Sequence, residues 1–372
     1  MADGHVGDTA MVNTMPLIAI RTDATSKIGT GHFMRCLTLA NELKQRGARI
    51  RFVSRDLPVY LRDMLATKGI ELALLSSEAT ENQRGDLAHS HWLGVSQQQD
   101  ADDTIQALSD QSWDWLVIDH YALDARWESA LRATAKRIMV IDDIADRKHD
   151  CDLLLDQNYY SDMRTRYIGK VSVHCQLLLG PRYALLRDEF QKLRKKVKPR
   201  AGSVKRILVF FGGVDADNYT GLAIEALAGV AIGEIQVDVV IGALHPNLSQ
   251  IELACTEHRY LCHVQTTNMA ELMAAADLAI GAGGAASWER CCMGLPALLV
   301  ALAENQIEIA KALDSIGACV YIGTEETVNS STIQCAMTNL MENHDQLKSI
   351  SEHALSLVDG MGVERVCQEM GC

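Results

Sequence analysis

The sequence predicts an α/β protein built as two facing Rossmann-like domains with a cleft between them, and three observations predict it. The chain has 372 residues, more than one hydrophobic core usually serves. Apolar runs of strand length alternate with amphipathic helical stretches, the pattern of parallel sheets covered by helices. A strand, a glycine-rich turn and a helix open both halves, first from Leu17 and again from Ile207. In open sheets of this kind ligands bind beyond the carboxyl ends of the strands.

The first strand is Leu17–Ile20, and after a loop a helix runs over Gly31–Arg46. Phe33, Cys36, Leu37, Ala40 and Leu43 share one face at helical spacing, and Gly47 supplies the stop. Strands follow at Ile50–Val53, Leu116–Ile118, Ile138–Ile141, Leu153–Leu155 and Leu177–Leu179. The segment Lys192–Arg206 is basic, carries a Pro–Gly interruption and lacks an apolar stripe, so it reads as a solvated helix end and interdomain linker. The second half restarts with Ile207–Phe211, which runs into Gly212 and Gly213, and continues with strands at Val237–Ile241, Leu278–Gly281 and Ala297–Val300. The expected division is a flexible leader over residues 1–15, a first domain over 16–198, a second over 199–358, and a terminal helix over 359–372 that returns to the first domain.

A net charge of −13 repels nucleic acid and anionic lipid, so neither is an expected partner and any phosphate site must be local. No apolar run approaches the ~20 residues needed to span a bilayer. The leader lacks the basic start and apolar stretch of a signal peptide. Eleven cysteines without C-x-x-C spacing fit neither a disulfide framework nor a zinc site. They read as mostly reduced core thiols of a cytoplasmic protein; no cofactor is expected, and a metal site among Asp142, Asp143 and His120 stays open although no ligand spacing supports it.

Three glycine-rich segments carry the candidate chemistry. Gly29-Thr30-Gly31-His32 lies between the first strand and the first helix. Its glycines allow close approach of a ligand, and the positive end of the helix keeps an imidazole neutral and able to accept a proton. Met34 stands where a dinucleotide fingerprint needs its third glycine, and no Walker loop occurs. Gly281-Ala282-Gly283-Gly284-Ala285-Ala286-Ser287-Trp288-Glu289 follows a strand and opens a helix. Read literally it satisfies G-x-G-x-x-A, the best case for a dehydrogenase, but it closes the second domain rather than opening it and serves a UDP diphosphate equally well. Glu289 there can accept both ribose hydroxyls or simply complement the helix dipole. Gly212-Gly213-Val214-Asp215-Ala216-Asp217-Asn218 is a phosphate turn or an ordinary strand-to-helix cap. Polar clusters at strand ends, namely Arg21 with Asp23, Asp119-His120-Tyr121, Asp142-Asp143 and Asp156-Gln157-Asn158, form a candidate polar wall facing the cleft.

Five ordered segments, IRTDATSKIGTGHFMRCLTLA, VIDHYALDARWE, VIDDIADRKHDCDLLLDQN, LGPRYALLRDEF and FFGGVDADNYT, closely resemble the UDP-2,4-diacetamido-2,4,6-trideoxy-β-L-altropyranose hydrolases of pseudaminic acid biosynthesis. The resemblance runs from about Pro16 to Arg365. The second half more distantly resembles the UDP-GlcNAc transferase of peptidoglycan synthesis. The resemblance implies a GT-B fold and metal-independent, inverting hydrolysis with His32 as the catalytic base. It also implies uridine contact by Glu289 and by the pair Asn305-Gln306.

The expected substrate is a UDP-activated diacetamido sugar and the expected assembly a monomer. The substrate contacts expected in the first half and after it are Arg21, Asp23, Gly31, Arg35, Asp119, Tyr121 and Asn158. For UDP they are Gly212, Gly213, Asp215, Asn218, Met269, Gly283, Gly284, Ser287, Glu289, Asn305 and Gln306. The His-rich stretch His89–His91 lies outside the matching motifs. Two other readings remain: a GT-B transferase passing the sugar to an acceptor, and a nucleotide-sugar sensor without catalysis.

Overall fold

A computed structural model describes residues 15–25, 27–76, 85–230 and 233–372; the leader over residues 1–14 lies outside them. One sheet has seven parallel strands: β1 (Leu17–Thr22), β2 (Arg49–Ser54), β3 (Glu71–Leu74), β4 (Trp113–Asp119), β5 (Ala135–Ile141), β6 (Leu153–Asp156) and β7 (Gln176–Leu179), in the order β3-β2-β1-β4-β5-β6-β7. The other has six: β8 (Arg206–Phe210), β9 (Gln236–Ile241), β10 (Leu261–Val264), β11 (Leu278–Ala282), β12 (Ala297–Ala301) and β13 (Val320–Thr324), in the order β10-β9-β8-β11-β12-β13. Both orders begin 3-2-1-4-5, so each sheet reverses direction between its first and fourth strands. That reversal is where doubly wound folds open a crevice for ligands.

The strands missed by sequence reading are β3, β10 and β13. All three are edge strands with only partial burial along their length, so none carries the continuous apolar run that marks a strand buried on both faces.

By compactness the chain divides into a first unit, up to Val140 with His149–Asp152 and Met370–Cys372, and a second, Ile141–Lys148 with Leu153–Glu369. In the first unit the helix Gly31–Gln45 buries Phe33, Cys36, Leu37, Ala40 and Leu43, the face expected from spacing. The same unit holds an ionic core. Arg21 is wholly buried and grips Asp100 with two hydrogen bonds of 3.1 and 2.7 Å, while its third nitrogen meets Asp23 at 2.7 Å. Arg55 and the Trp127 indole also donate to Asp100, each at 3.0 Å. Buried charges are costly unless matched in this way.

The second unit shows the period of two directly. Ile207, Val209, Val237, Val239, Leu278, Ile280, Leu298 and Val300 form one core, whereas Leu208, Val240, Ala279, Ala297 and Leu299 face the other. Alternate residues of each strand thus feed opposite layers of helices. The basic segment expected to be a solvated linker is more than that. Arg200 is half-buried and donates to the carbonyls of Met273, Ala274, Ala276 and Met293, closing the end of the helix Met269–Ala275. Among the described residues no helix is long and apolar enough to cross a membrane.

Candidate functional site

In the first unit the loop after β1 closes on itself. Thr25 and Gly29 form an antiparallel bridge, with the Gly29 N–H donating to the Thr25 carbonyl at 2.8 Å. Gly29 adopts φ +77°, which a side chain would oppose. The chain then enters its helix at Gly31, an exposed residue, and His32 follows with a side chain 11% exposed.

Asp119 is the last residue of β4, paired with Thr22 of β1, and is wholly buried. Its Oδ1 lies 2.6 Å from His32 Nδ1. Arg35, one turn along the helix, donates to both of its oxygens at 2.6 and 2.7 Å. Burial opposes ionisation of Asp119, yet Arg35 and His32 hold its carboxyl well below the usual carboxylate range. A carboxylate only accepts hydrogen bonds, so His32 Nδ1 donates to Asp119, and a terminal nitrogen of Arg35 lies 3.2 Å from the same ring nitrogen. Nε2 makes no hydrogen bond among the described residues. The same environment pushes the adjacent Cys36 thiol well up, by burial and by Asp119, so Cys36 is not a nucleophile.

Aromatic rings surround this imidazole. Tyr121 meets it edge-on at 4.6 Å between ring centres, and Trp92 at 6.1 Å. Trp92 stacks on Tyr121 at 5.5 Å and packs against His89 at 4.6 Å. The stretch around His89–His91, which carried no inference from sequence, therefore packs beside His32. Tyr121 is buried at the cluster, whereas Arg21 and Asp23 lie behind it in the ionic core. Asp23 accepts the Arg55 N–H at 2.7 Å and meets His120 Nε2 at 3.2 Å. His120 accepts the Ala122 N–H through Nδ1, and burial lowers its pKa, so it is a neutral Nε2–H donor to Asp23.

In the second unit, Gly281 pairs with Phe210, and a Cβ there would fall 2.1 Å from the Phe210 carbonyl oxygen. Only glycine lets β11 run that close to β8 and end in the turn Gly283-Gly284. Gln306 packs against both of these glycines and accepts the Leu302 N–H at 3.1 Å. Asn305 beside it is exposed. Glu289 is half-buried on the helix Ala286–Cys292 and meets Arg187 at 3.4 Å. Burial raises its pKa, while Arg187 opposes the shift. Asn158 is joined to the same helix, accepting the Trp288 indole N–H at 3.0 Å. The Gly283-Gly284 turn, Ser287, Glu289 and Gln306 therefore gather at the end of β11.

The turn after β8 is organised differently. Gly212 has φ +115°. Asp215 accepts the N–H groups of Tyr219 and Thr220 at 2.9 and 2.8 Å, and Asn218 accepts that of Gly221 at 3.1 Å. Both side chains thus cap the helix Tyr219–Ala228. Met269 is buried in the core. Asp142 accepts from Ala145, Arg147 and Tyr167, and no cluster of metal-ligating side chains occurs among the described residues. Sequence reading did not single out Trp92, Arg187 or Arg290. Trp92 meets His32 from 60 positions away, a contact that spacing does not carry.

Residues 206–362 match the glycosyltransferase family 28 C-terminal domain. The chain is 24% identical over 94% of its length to spore coat polysaccharide biosynthesis protein SpsG of Bacillus subtilis (strain 168), covering 96% of that protein. It is 25% identical over 69% of its length to the UDP-2,4-diacetamido-2,4,6-trideoxy-beta-L-altropyranose hydrolase of Campylobacter jejuni, covering 81% of that protein. Its fold is similar to that of MurG of Acinetobacter baumannii, with a TM-score of 0.64 at 14% identity over 96% of this chain and 99% of that one. The chain thus has the GT-B fold, and its residues 206–362 are similar to the glycosyltransferase family 28 C-terminal domain.

Proposed function

We propose that the chain is a hydrolase that releases UDP from a UDP-activated diacetamido sugar, the altrose-configured 2,4-diacetamido-2,4,6-trideoxy sugar being the leading candidate. The observation that carries this reading is the His32–Asp119 pair, in which Nδ1 lies 2.6 Å from the carboxylate while Nε2 makes no hydrogen bond among the described residues. In the proposed reaction His32 Nε2 takes a proton from water as the water oxygen attacks the anomeric carbon. The bond from that carbon to the diphosphate oxygen breaks with inversion, and UDP leaves with the bonding pair. Base assistance of this kind contributes about 10²–10⁴ in rate. Asp119 fixes the tautomer and stabilises the imidazolium formed, as the carboxylate of a triad does. Arg35 keeps Asp119 ionised, and Arg21 and Asp23 act as positioning residues through His120. UDP is assigned to the second unit, with Glu289 on the ribose and Gly283, Gly284 and Gln306 around the turn. No step uses a metal or cofactor.

The 25% identity to a protein named for this hydrolysis supports the reading. A transferase is the second reading, favoured by the family 28 match. His32→Asn separates base from binding residue: it is expected to keep UDP affinity within about twofold while turnover falls ~10²-fold or more. Equal losses of affinity and turnover would make His32 a binding residue instead.

A further inference from the structure

Four arginines are buried among the described residues: Arg21, Arg55, Arg147 and Arg290. The first three are matched by carboxylates, Arg21 and Arg55 by Asp100 and Arg147 by Asp142. Arg290, 2% exposed on the helix Ala286–Cys292, has no ion-pair partner among the described residues. One of its terminal nitrogens donates to the Ala282 carbonyl and, at 3.1 Å, to the Ser287 hydroxyl oxygen. Its Nε has no hydrogen-bond partner. Burial lowers the Arg290 pKa more than the neighbouring Glu289 charge, which makes no ion pair with it, raises it. The neighbouring Cys291 thiol, pushed up to about 12 by burial, supplies no countercharge, and the Glu289 carboxylate meets Arg187.

An unmatched buried cation is costly, and large desolvated charges persist where something else uses them. Arg290 sits directly beneath the turn Gly281–Ser287. Because its guanidinium donates to Ser287 Oγ, the Ser287 O–H is turned to donate elsewhere, and an anion there would supply the missing countercharge.

We propose that Arg290 is a positioning residue for the diphosphate of a nucleoside diphosphate, acting through the hydroxyl of Ser287. The inference rests on the assignment of UDP to this unit. It adds that the affinity for the diphosphate, as opposed to the nucleoside, depends on a charge that never touches the ligand.

The test is titration of the full chain with UDP and with uridine, alongside thermal melting without ligand. Arg290→Met keeps the bulk and removes the charge. It is expected to weaken UDP binding about tenfold, the scale of a charge-assisted hydrogen bond, to leave uridine within about twofold, and not to lower the ligand-free Tm. Ser287→Ala is expected to produce a similar loss, and the double variant little more, because the two side chains act in series. Unchanged UDP binding in both single variants overturns the inference. So do additive losses, or a lowered Tm with equal weakening of UDP and uridine. Wild-type protein that does not bind UDP overturns the underlying assignment itself, an outcome distinct from a failure confined to the variants.

Discussion

Each unit holds a histidine against an aspartate near the strands where its sheet reverses, yet the two pairs are bonded differently. In the first, His32 Nδ1 lies 2.6 Å from Asp119 and Nε2 remains uncommitted among the described residues. In the second, His245 Nε2 lies 3.3 Å from Asp215, and His245 Nδ1 accepts the Asn247 N–H. Asp215 is itself occupied by two helix N–H groups, and the His245 side chain is wholly buried. Residue type does not separate them. What separates them is whether the second ring nitrogen is taken up by a backbone N–H, as in His245, or left without a hydrogen bond among the described residues, as in His32.

Breaking the first pair carries the largest expected effect. Asp119→Asn removes the charge that holds His32 in its Nδ1–H tautomer, so turnover is expected to fall by about 10²–10⁴, with UDP affinity little changed. Steady-state kinetics beside UDP titration checks it, and turnover near wild type would mean that the tautomer is set by something else. Asp100→Ala, in the ionic core behind the site, leaves Arg21 without its main partner. It is expected to cost about 3–5 kcal/mol of stability in denaturant unfolding. A loss below about 1 kcal/mol would show that the cluster is not needed for folding.

Breaking the second pair should touch stability and leave the chemistry alone. Asp215→Ala is expected to cost about 1–2 kcal/mol through its lost helix cap, with kcat unchanged within about twofold. A kcat falling in parallel with that of Asp119→Asn would erase the contrast between the pairs.

The smallest effect is a pH dependence. Asp156, at the end of β6, is pushed up to about 8 by burial and by nearby Asp143, against the pull of Arg166. Its folded pKa is raised above the unfolded value, near 3.9, so its favourable contribution is complete below about pH 4. That contribution is lost as pH rises toward 8. Asp156→Asn cannot ionise, and its Tm is expected to fall less than that of wild type between pH 5 and pH 8. Parallel melting profiles would contradict the raised pKa.

How much of this was legible in the sequence follows from distance along the chain. The helix Gly31–Gln45 and the central strands announced themselves because their burial repeats within a few residues. The edge strands β3, β10 and β13 did not, being only partly buried along their length. Asp119 was visible as a charge after a buried strand, but its pairing with His32 spans 87 positions and depends on β1 and β4 being neighbours. Trp92 was hidden for the same reason. Arg200 looked solvated because its partners are carbonyls, which leave no trace in side-chain pattern. Arg290 was hidden differently, since its property is the lack of a carboxylate.

The central claim is that His32 serves water rather than an acceptor. The most direct test is a phosphorus NMR time course with UDP-2,4-diacetamido-2,4,6-trideoxy-β-L-altropyranose, no acceptor and no added metal, on wild type and His32→Asn. The account predicts free UDP appearing with wild type and nearly none with the variant over the same interval. An intact nucleotide sugar in the presence of wild type that demonstrably binds UDP would contradict it and return the acceptor-dependent reading to first place.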